Sequence, residues 1–388
     1  MKISAFNWMA LSFFGYFCAY GVFVPFFPVW LKSQSYGAET IGFVMAISYL
    51  FRFLGGIWFS SLIKRASHLI NALRYLAWAS FIICLLMSFV AESFWLLCLA
   101  IWLFAMVNSA GIPISDTLAS TWQQQIHLDY GKARLIGSVA FVVGVTGFGY
   151  VIGIIGEQYI VIILTALLLL YSLLQMNSPR QMPLDDQESA VKNSPTFIQL
   201  LQNKTTLRLL IAISLIQSSH AAYYVYSVLY WTSIGISVQT TSILLGLSVV
   251  SEILLFFFST QLFKTWSVSA LFYLSAGASV IRWLLVSSTD NLALITFTQT
   301  FHSLTYAVSH YAIVRYITTQ PQTHMAKLQG LYSGISSCGA IALTTALSGV
   351  LYPISPTLMF VAMAFFALLA LFFTPRNVSA LLLKRVNG

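Results

Sequence analysis

Of the 388 residues, 59% are hydrophobic, 15% aromatic and only 7% charged, and the mean hydropathy is +0.84. A water-soluble core of this length needs far more polar surface than that, whereas a bilayer accepts such a surface directly, so the composition excludes a soluble domain. The net charge of +9 does not mark a nucleic-acid partner, because Lys and Arg are scattered at the ends of apolar runs instead of forming a patch, which is the distribution of membrane orientation signals.

The chain opens with Lys2 and an apolar run over residues 6–31, too long for a signal h-region and lacking a small-residue cleavage site, so it is expected to stay as the first spanning helix. Runs of about 20 apolar residues cross a hydrocarbon core. Eleven more follow, at 40–63, 70–90, 94–120, 132–155, 159–176, 207–233, 240–263, 268–287, 292–317, 327–352 and 355–374. The expected fold is therefore an all-α membrane protein of twelve transmembrane helices, with no metal-ligand spacing among Cys18, Cys84, Cys98 and Cys338, which read as small buried hydrophobes.

The long polar stretch lies at residues 177–206 and holds Pro179, Pro183, Asp185, Asp186, Glu188 and Pro195, as a flexible linker would. It divides the chain into a six-helix half at 1–176 and another at 207–388. An N-terminus inside puts Lys64, Arg65, Arg74, Lys132, Arg180, Lys192, Lys204, Arg208, Lys264, Lys327, Arg376, Lys384 and Arg385 on inner connections and Lys32 outside. Both termini are then cytoplasmic. The halves resemble a repeat: a shift of 200 lays Leu62-Ile63-Lys64 on Leu262-Phe263-Lys264 and Arg52 on Glu252.

Charges inside the spans are costly, about 2.5 to 3.5 kcal/mol each at a helix centre, so each is a candidate for function. Asp116 closes the fourth span and Arg134 opens the fifth, with their midpoint in the polar connection Gln123 to Gly131, which sets them at the same depth. Either they form a desolvated ion pair at a site, or Arg134 is a positive-inside anchor with Asp116 as local partner; hydropathy does not choose. Pro113 is expected to kink the fourth helix beside them. Glu252 and Arg282 are level by the same reasoning, around Ser267, and serve either helix packing or a tuned proton site. On the tenth span His302, Tyr306 and His310 recur at i, i+4, i+8 and share one stripe, fit for a hydrated, proton-relaying face. His220, beside Gln217, Ser218 and Ser219, is expected on the same interior, and Arg52 remains without a role. No phosphate-binding glycine loop, metalloprotease motif or nucleophile elbow is present, so neither ATP nor covalent catalysis is expected and the energy source is a gradient.

Segments Gly21-Val22-Phe23-Val24-Pro25-Phe26-Phe27-Pro28-Val29-Trp30-Leu31, Asn108 through Pro113 to Asp116, Tyr130-Gly131-Lys132-Ala133-Arg134 with Gly137, and Tyr316-Ile317-Thr318 resemble the major facilitator superfamily. The branch they resemble contains lactose permease, nucleoside symporters and phenylpropionate permeases, the last most of all. The resemblance implies that Asp116 and Arg134 stand for the Glu and Arg that hold the substrate in lactose permease, and that Phe141 replaces the Trp on which the sugar stacks. It likewise implies that Glu252 is a substrate contact and Arg282 and His302 belong to the proton machinery. The family's proton-carrying Glu is Thr305 here, and the Lys before that His is Gln299, so Glu252 with His302 or His310 is expected to take the proton.

The implied function is a secondary transporter of the cell inner membrane, not an enzyme and without cofactor or metal. It takes up an aromatic monocarboxylate such as 3-phenylpropionate with a proton, by alternating access, as a monomer. Arg134 binds the carboxylate, since a guanidinium grips one in a bidentate way. The alternatives are a proton symporter of a neutral sugar or nucleoside and, from another class, a non-transporting membrane receptor.

Overall fold

The computed structural model describes residues 2–185 and 195–378. Asp186, Glu188, Lys192, Lys384 and Arg385, assigned above to the linker and inner connections, lie outside the described residues. Among the described residues, ten helices are long and apolar enough to cross a membrane. In chain order they are α1 (Ala5–Ser33), α2 (Ala38–Leu62), α3 (Ala66–Val90), α4 (Phe94–Ile126), α5 (Tyr130–Ile155), α6 (Glu157–Gln175), α8 (Val238–Leu262), α9 (Val268–Ser287), α11 (Thr323–Ile354) and α12 (Pro356–Phe373). The other two of the twelve contain breaks, as do α4 at Ala110 and, through π-helical turns, α5 at Val143–Phe148 and α11 at Tyr332–Ala340. α7 consists of Lys204–Ser218 and Ala221–Ser233, and α10 of Leu292–His302, a π-helical turn Ser303–Ala307, and Val308–Thr318.

Helices suit this chain because each backbone N–H and C=O is satisfied inside its own segment, which hydrocarbon demands. Their surfaces are apolar all round. On α3, Leu69, Leu73, Leu76, Ser80, Cys84 and Met87 are buried at helical spacing while Tyr75, Ile82 and Phe89 face outward. Pro113 has the expected effect: it has no N–H to give to Ser109, three residues on from the break of α4 at Ala110. The fourth span runs further than hydropathy predicts, since Gln123–Ile126 continue the helix and only His127 leaves it, with φ 54°. Asp129 then caps α5 by accepting from Lys132 N at 3.0 Å.

The repeat is visible in the elements. α2 and α8 are both 25 residues long with bounds 200 apart. The turns before them match bond for bond: Gln34, Ser35 and Tyr36 donate to Trp30, Lys32 and Leu31 as Ile234, Gly235 and Ile236 donate to Tyr230, Thr232 and Trp231. Ser35 and Gly235 both take positive φ, 68° and 93°.

By packing, the chain forms two units, Met1–Glu188 with Val225–Gly246, and Ser189–Tyr224 with Leu247–Gly388. In the first, α1 is the central helix, and at Gly21 and Gly144 it and α5 touch backbone to backbone: a Cβ on Gly144 meets Cys18 O and one on Gly21 meets Phe141 O. The segment Val225–Gly246 is held in this unit by Tyr226, whose hydroxyl donates to Ala38 O at 2.8 Å, and by Gln239, whose Nε2 donates to Gly153 O at 2.6 Å. The described beginning of the linker is bonded to the unit. Ser178 and Pro179 pair in parallel with Lys2 and Ile3, Gln125 exchanges two hydrogen bonds with the Leu184 backbone, and Asp185 accepts from Ser67 N at 2.9 Å and Ser67 Oγ at 3.0 Å. In the second unit a core of Leu209, Ile213, Leu271, Phe272, Val308 and Ala312 packs α7, α9 and α10 together.

Candidate functional site

In the first unit, Arg134 Nε stands 3.9 Å from Asp116 Oδ1, and the two side chains are 35% and 36% exposed. The pair is loose, one long contact instead of the bidentate grip of which both groups are capable. Asp116 Oδ1 also accepts from the Tyr130 hydroxyl at 3.0 Å. The Arg134 guanidinium lies 4.3 Å from the Phe17 ring centroid and 5.6 Å from that of Phe13. Phe141, expected as the stacking ring, is one step along: its centroid is 6.1 Å from Tyr20, which is 6.3 Å from Phe17. Arg52 joins the same strip. Its Nη2 donates to the Tyr20 hydroxyl, and its guanidinium lies 5.2 Å from the Tyr20 ring and 5.5 Å from Tyr49. Phe13, Phe17, Tyr20 and Phe23 thus present, at helical spacing on α1, an aromatic strip with a guanidinium at each end.

In the second unit the charges meet around His302. Its Nε2 is 3.4 Å from Glu252 Oε2, and its Nδ1 is 3.1 Å from Arg282 Nη1. The same Nη1 donates to Thr305 Oγ1 at 3.2 Å, and Thr305 Oγ1 lies 3.0 Å from His220 Nε2. His220 Nδ1 is 3.0 Å from Ile216 O, a carbonyl, so that nitrogen carries the proton. Glu252 and Arg282, placed level by the sequence, are therefore linked through His302. Arg282 is fully buried, with its guanidinium carbon 4.5 Å from the Tyr223 ring and 4.6 Å from Trp283. Among the described residues its Nε and Nη2 make no hydrogen bond. Ring faces are what offset burial of that edge.

The break in α7 falls at Ser219 and His220, where Ser219 Oγ accepts from Trp283 Nε1 at 3.0 Å. The π-helical turn of α10 holds Thr305, whose carbonyl accepts from Ser275 Oγ at 2.7 Å. Both irregularities lie where the buried polar groups gather, as π-bulges and broken membrane helices often do. His302, Tyr306 and His310 stack face to face, at 5.4 and 6.2 Å with interplanar angles of 9° and 2°. His310 Nδ1 meets the Tyr332 hydroxyl at 2.8 Å.

Several of these residues escape the sequence reading. Thr305 and Gln299 enter it only as departures from a family pattern, yet Thr305 joins three helices and Gln299 Oε1 accepts from the Tyr223 hydroxyl at 2.9 Å. Tyr130 enters only as part of a family segment, and Phe17 and Tyr20 not at all, although the spacing of aromatic residues along α1 carries a signal for the last two.

Polar groups buried inside helices that are apolar all round, with two helices broken at those groups, define a multi-pass membrane protein of the transporter class. The chain belongs to the MFS_1 like family, which it matches over residues 6–362. It is 35% identical to the "Probable 3-phenylpropionic acid transporter" of Escherichia coli (strain K12) over 97% of this chain and 99% of that one. It is 26% identical to the "Uncharacterized transporter YwbF" of Bacillus subtilis (strain 168), over 63% of this chain and 61% of that one. The fold is similar to that of a point mutant of the nucleoside transporter NupG, with TM-score 0.80 at 14% identity over 95% of this chain and 98% of that one. A bacterial homologue of the human lysosomal transporter Spinster, inward-facing and occupied, gives 0.66 at 13% identity over 95% of each chain. The chain is a transporter of the major facilitator fold and not an enzyme.

Proposed function

We propose that this transporter takes up an aromatic monocarboxylate such as 3-phenylpropionate together with a proton, by alternating access, in the cell inner membrane with both termini cytoplasmic, as a monomer. The observation that carries this reading is Arg134: a half-exposed guanidinium, loosely held by Asp116 and seated on aromatic rings. A substrate carboxylate displaces Asp116 and takes the bidentate grip, while the ring lies on the strip formed by Phe17, Tyr20 and Phe141. Asp116, released, keeps the Tyr130 hydroxyl as partner. The Glu252, Arg282 and His302 group handles the proton, with His220 and His310 in its surroundings, and Arg52 borders the strip. The similarity to the phenylpropionic acid transporter over nearly the whole chain supports the substrate class.

Purified protein in liposomes is the test. Radiolabelled 3-phenylpropionate enters down an inward proton gradient and is chased by other aromatic acids; chase by sugars or nucleosides instead supports the neutral-substrate alternative. Arg134→Ala reduces uptake at least about tenfold at unchanged expression, because one charge-assisted contact is worth more than 1.4 kcal/mol. Normal uptake by that variant removes the site.

A further inference from the structure

The hydrogen-bond directions around His302 decide which group there can hold the proton. Arg282 Nη1 carries two hydrogens and no lone pair, and it has two neighbours in bonding range, His302 Nδ1 at 3.1 Å and Thr305 Oγ1 at 3.2 Å. Each takes one N–H. His302 Nδ1 is then an acceptor, and a neutral ring with an accepting Nδ1 has its hydrogen on Nε2, the nitrogen 3.4 Å from Glu252 Oε2. A second proton on His302 has only Nδ1 to go to, where it meets the Arg282 N–H head on and breaks the contact. Glu252 has lone pairs on both carboxylate oxygens, so a proton there does not have to displace the Arg282 N–H from His302. Its carboxylate stands 3.4 Å from His302 Nε2, and as a carboxylic acid it keeps a carbonyl oxygen that can face the His302 Nε2–H.

We propose that Glu252 is the group that takes and releases the transported proton, and that Arg282 holds His302 as the neutral Nε2–H tautomer throughout. The step is a protonation: the Glu252 carboxylate takes one proton from one side of the membrane to become the acid and returns it on the other. His302 and Thr305 are positioning residues. The charged and titratable groups linked to Glu252 through His302 are Arg282 on α9, Tyr306 and His310 on α10, His220, Tyr223 and Tyr224 on α7, and Tyr332 on α11. The assignment rests on the proton-coupled reading above, and its test has an arm that needs no substrate.

That arm is an acid-minus-neutral infrared difference spectrum of the full-length protein in detergent. A carboxylic-acid carbonyl band gained on acidification is absent from Glu252→Gln and moves in Glu252→Asp, which keeps a titrating carboxyl one methylene shorter. With nitrogen-15-labelled histidine, the resonance missing from His302→Gln is a neutral imidazole at both pH values. A band that survives Glu252→Gln, or an imidazolium signal that disappears in His302→Gln, overturns the proposal. In liposomes, a gradient of one pH unit gives wild type up to about tenfold accumulation, since one unit is worth 1.36 kcal/mol per proton. Glu252→Gln brings that ratio to one, whereas His302→Gln, which still directs an N–H toward Glu252, slows uptake without collapsing the ratio. The reverse pattern, with the ratio lost in His302→Gln and kept in Glu252→Gln, also overturns it. If wild type fails to carry phenylpropionate, the substrate reading falls and the spectra still decide the proton site.

Discussion

A guanidinium as deeply buried as that of Arg282 has given up its hydration, a cost of several kcal/mol that neighbouring groups must offset. Two ring faces within 5 Å each contribute up to about 2 kcal/mol when desolvated, and the hydrogen bonds to His302 and Thr305 add to them. Thr305 is the small residue on which this arrangement turns. Thr305→Val keeps the shape and removes the oxygen that accepts from Arg282 and faces His220, leaving buried polar atoms without partners. We expect a loss of about 1 to 3 kcal/mol, read as a lower unfolding temperature in detergent, with Thr305→Ser restoring most of it. An unshifted transition in Thr305→Val would show that the hydroxyl carries no structural weight. None of this is legible in the chain, because residues 220, 282 and 305 share no local pattern and meet only through packing of α7, α9 and α10. The charges themselves were legible, since an ionisable residue in an apolar run announces itself.

Elements were read with more success where a local rule applies. The break of α4 follows from Pro113, and the equivalence of the turns before α2 and α8 follows from the 200-residue repeat. The docking of residues 178–185 does not follow from composition, since Pro and Asp mark a coil whether or not it is tied down. Asp185 is one of the ties. Its carboxyl lies below the usual Asp range, first because the Ser67 backbone N–H donates to it, against an opposing effect of desolvation, and further because the Ser67 hydroxyl donates and the Arg65 charge attracts. A carboxylate with a depressed folded pKa supports docking above the unfolded value of about 3.9 and loses that support as pH falls through the folded value. Hydrogen exchange at the Ser67 amide should therefore be slow at neutral pH relative to an undocked amide, lose its protection below about pH 4, and already be fast at neutral pH in Asp185→Asn; equal protection in that variant would sever the tie. At the crossing of α1 and α5 the expectation is starker. Gly144→Val places carbon against the Cys18 carbonyl, where backbone faces backbone and neither helix can yield. The cost should exceed the 1 to 3 kcal/mol usual for overpacking and show as loss of folded protein in detergent gel filtration; a folded, active Gly144→Val would mean that the helices part more easily than their packing implies.

For the molecule as a whole, hydropathy suffices to count spans, because a 20-residue apolar run has few other uses, and among the described residues the spans it finds become twelve helices, ten of them long and apolar enough to cross a membrane by themselves. It cannot see that Val225–Gly246 packs with the first unit, since that grouping depends on Tyr226 and Gln239 finding carbonyls far away in sequence. The charge arithmetic of transport is a property at this scale. A monoanion bound at Arg134 carries −1, a proton on Glu252 carries +1, and if one of each moves per cycle their sum is zero. A cycle that moves no net charge does no work against the membrane potential. Were the anion carried alone, each 100 mV would contribute about 2.3 kcal/mol, a change of roughly fiftyfold in the accumulation ratio. Liposomes loaded with potassium and treated with valinomycin separate the two forces: at equal pH inside and out, an imposed potential should leave phenylpropionate accumulation at one, and at zero potential a pH gradient should drive it. Accumulation that follows the potential at fixed pH would mean that a second proton moves, or none, and the search for its carrier would then pass from Glu252 to Asp116, whose bond to Arg134 the substrate breaks.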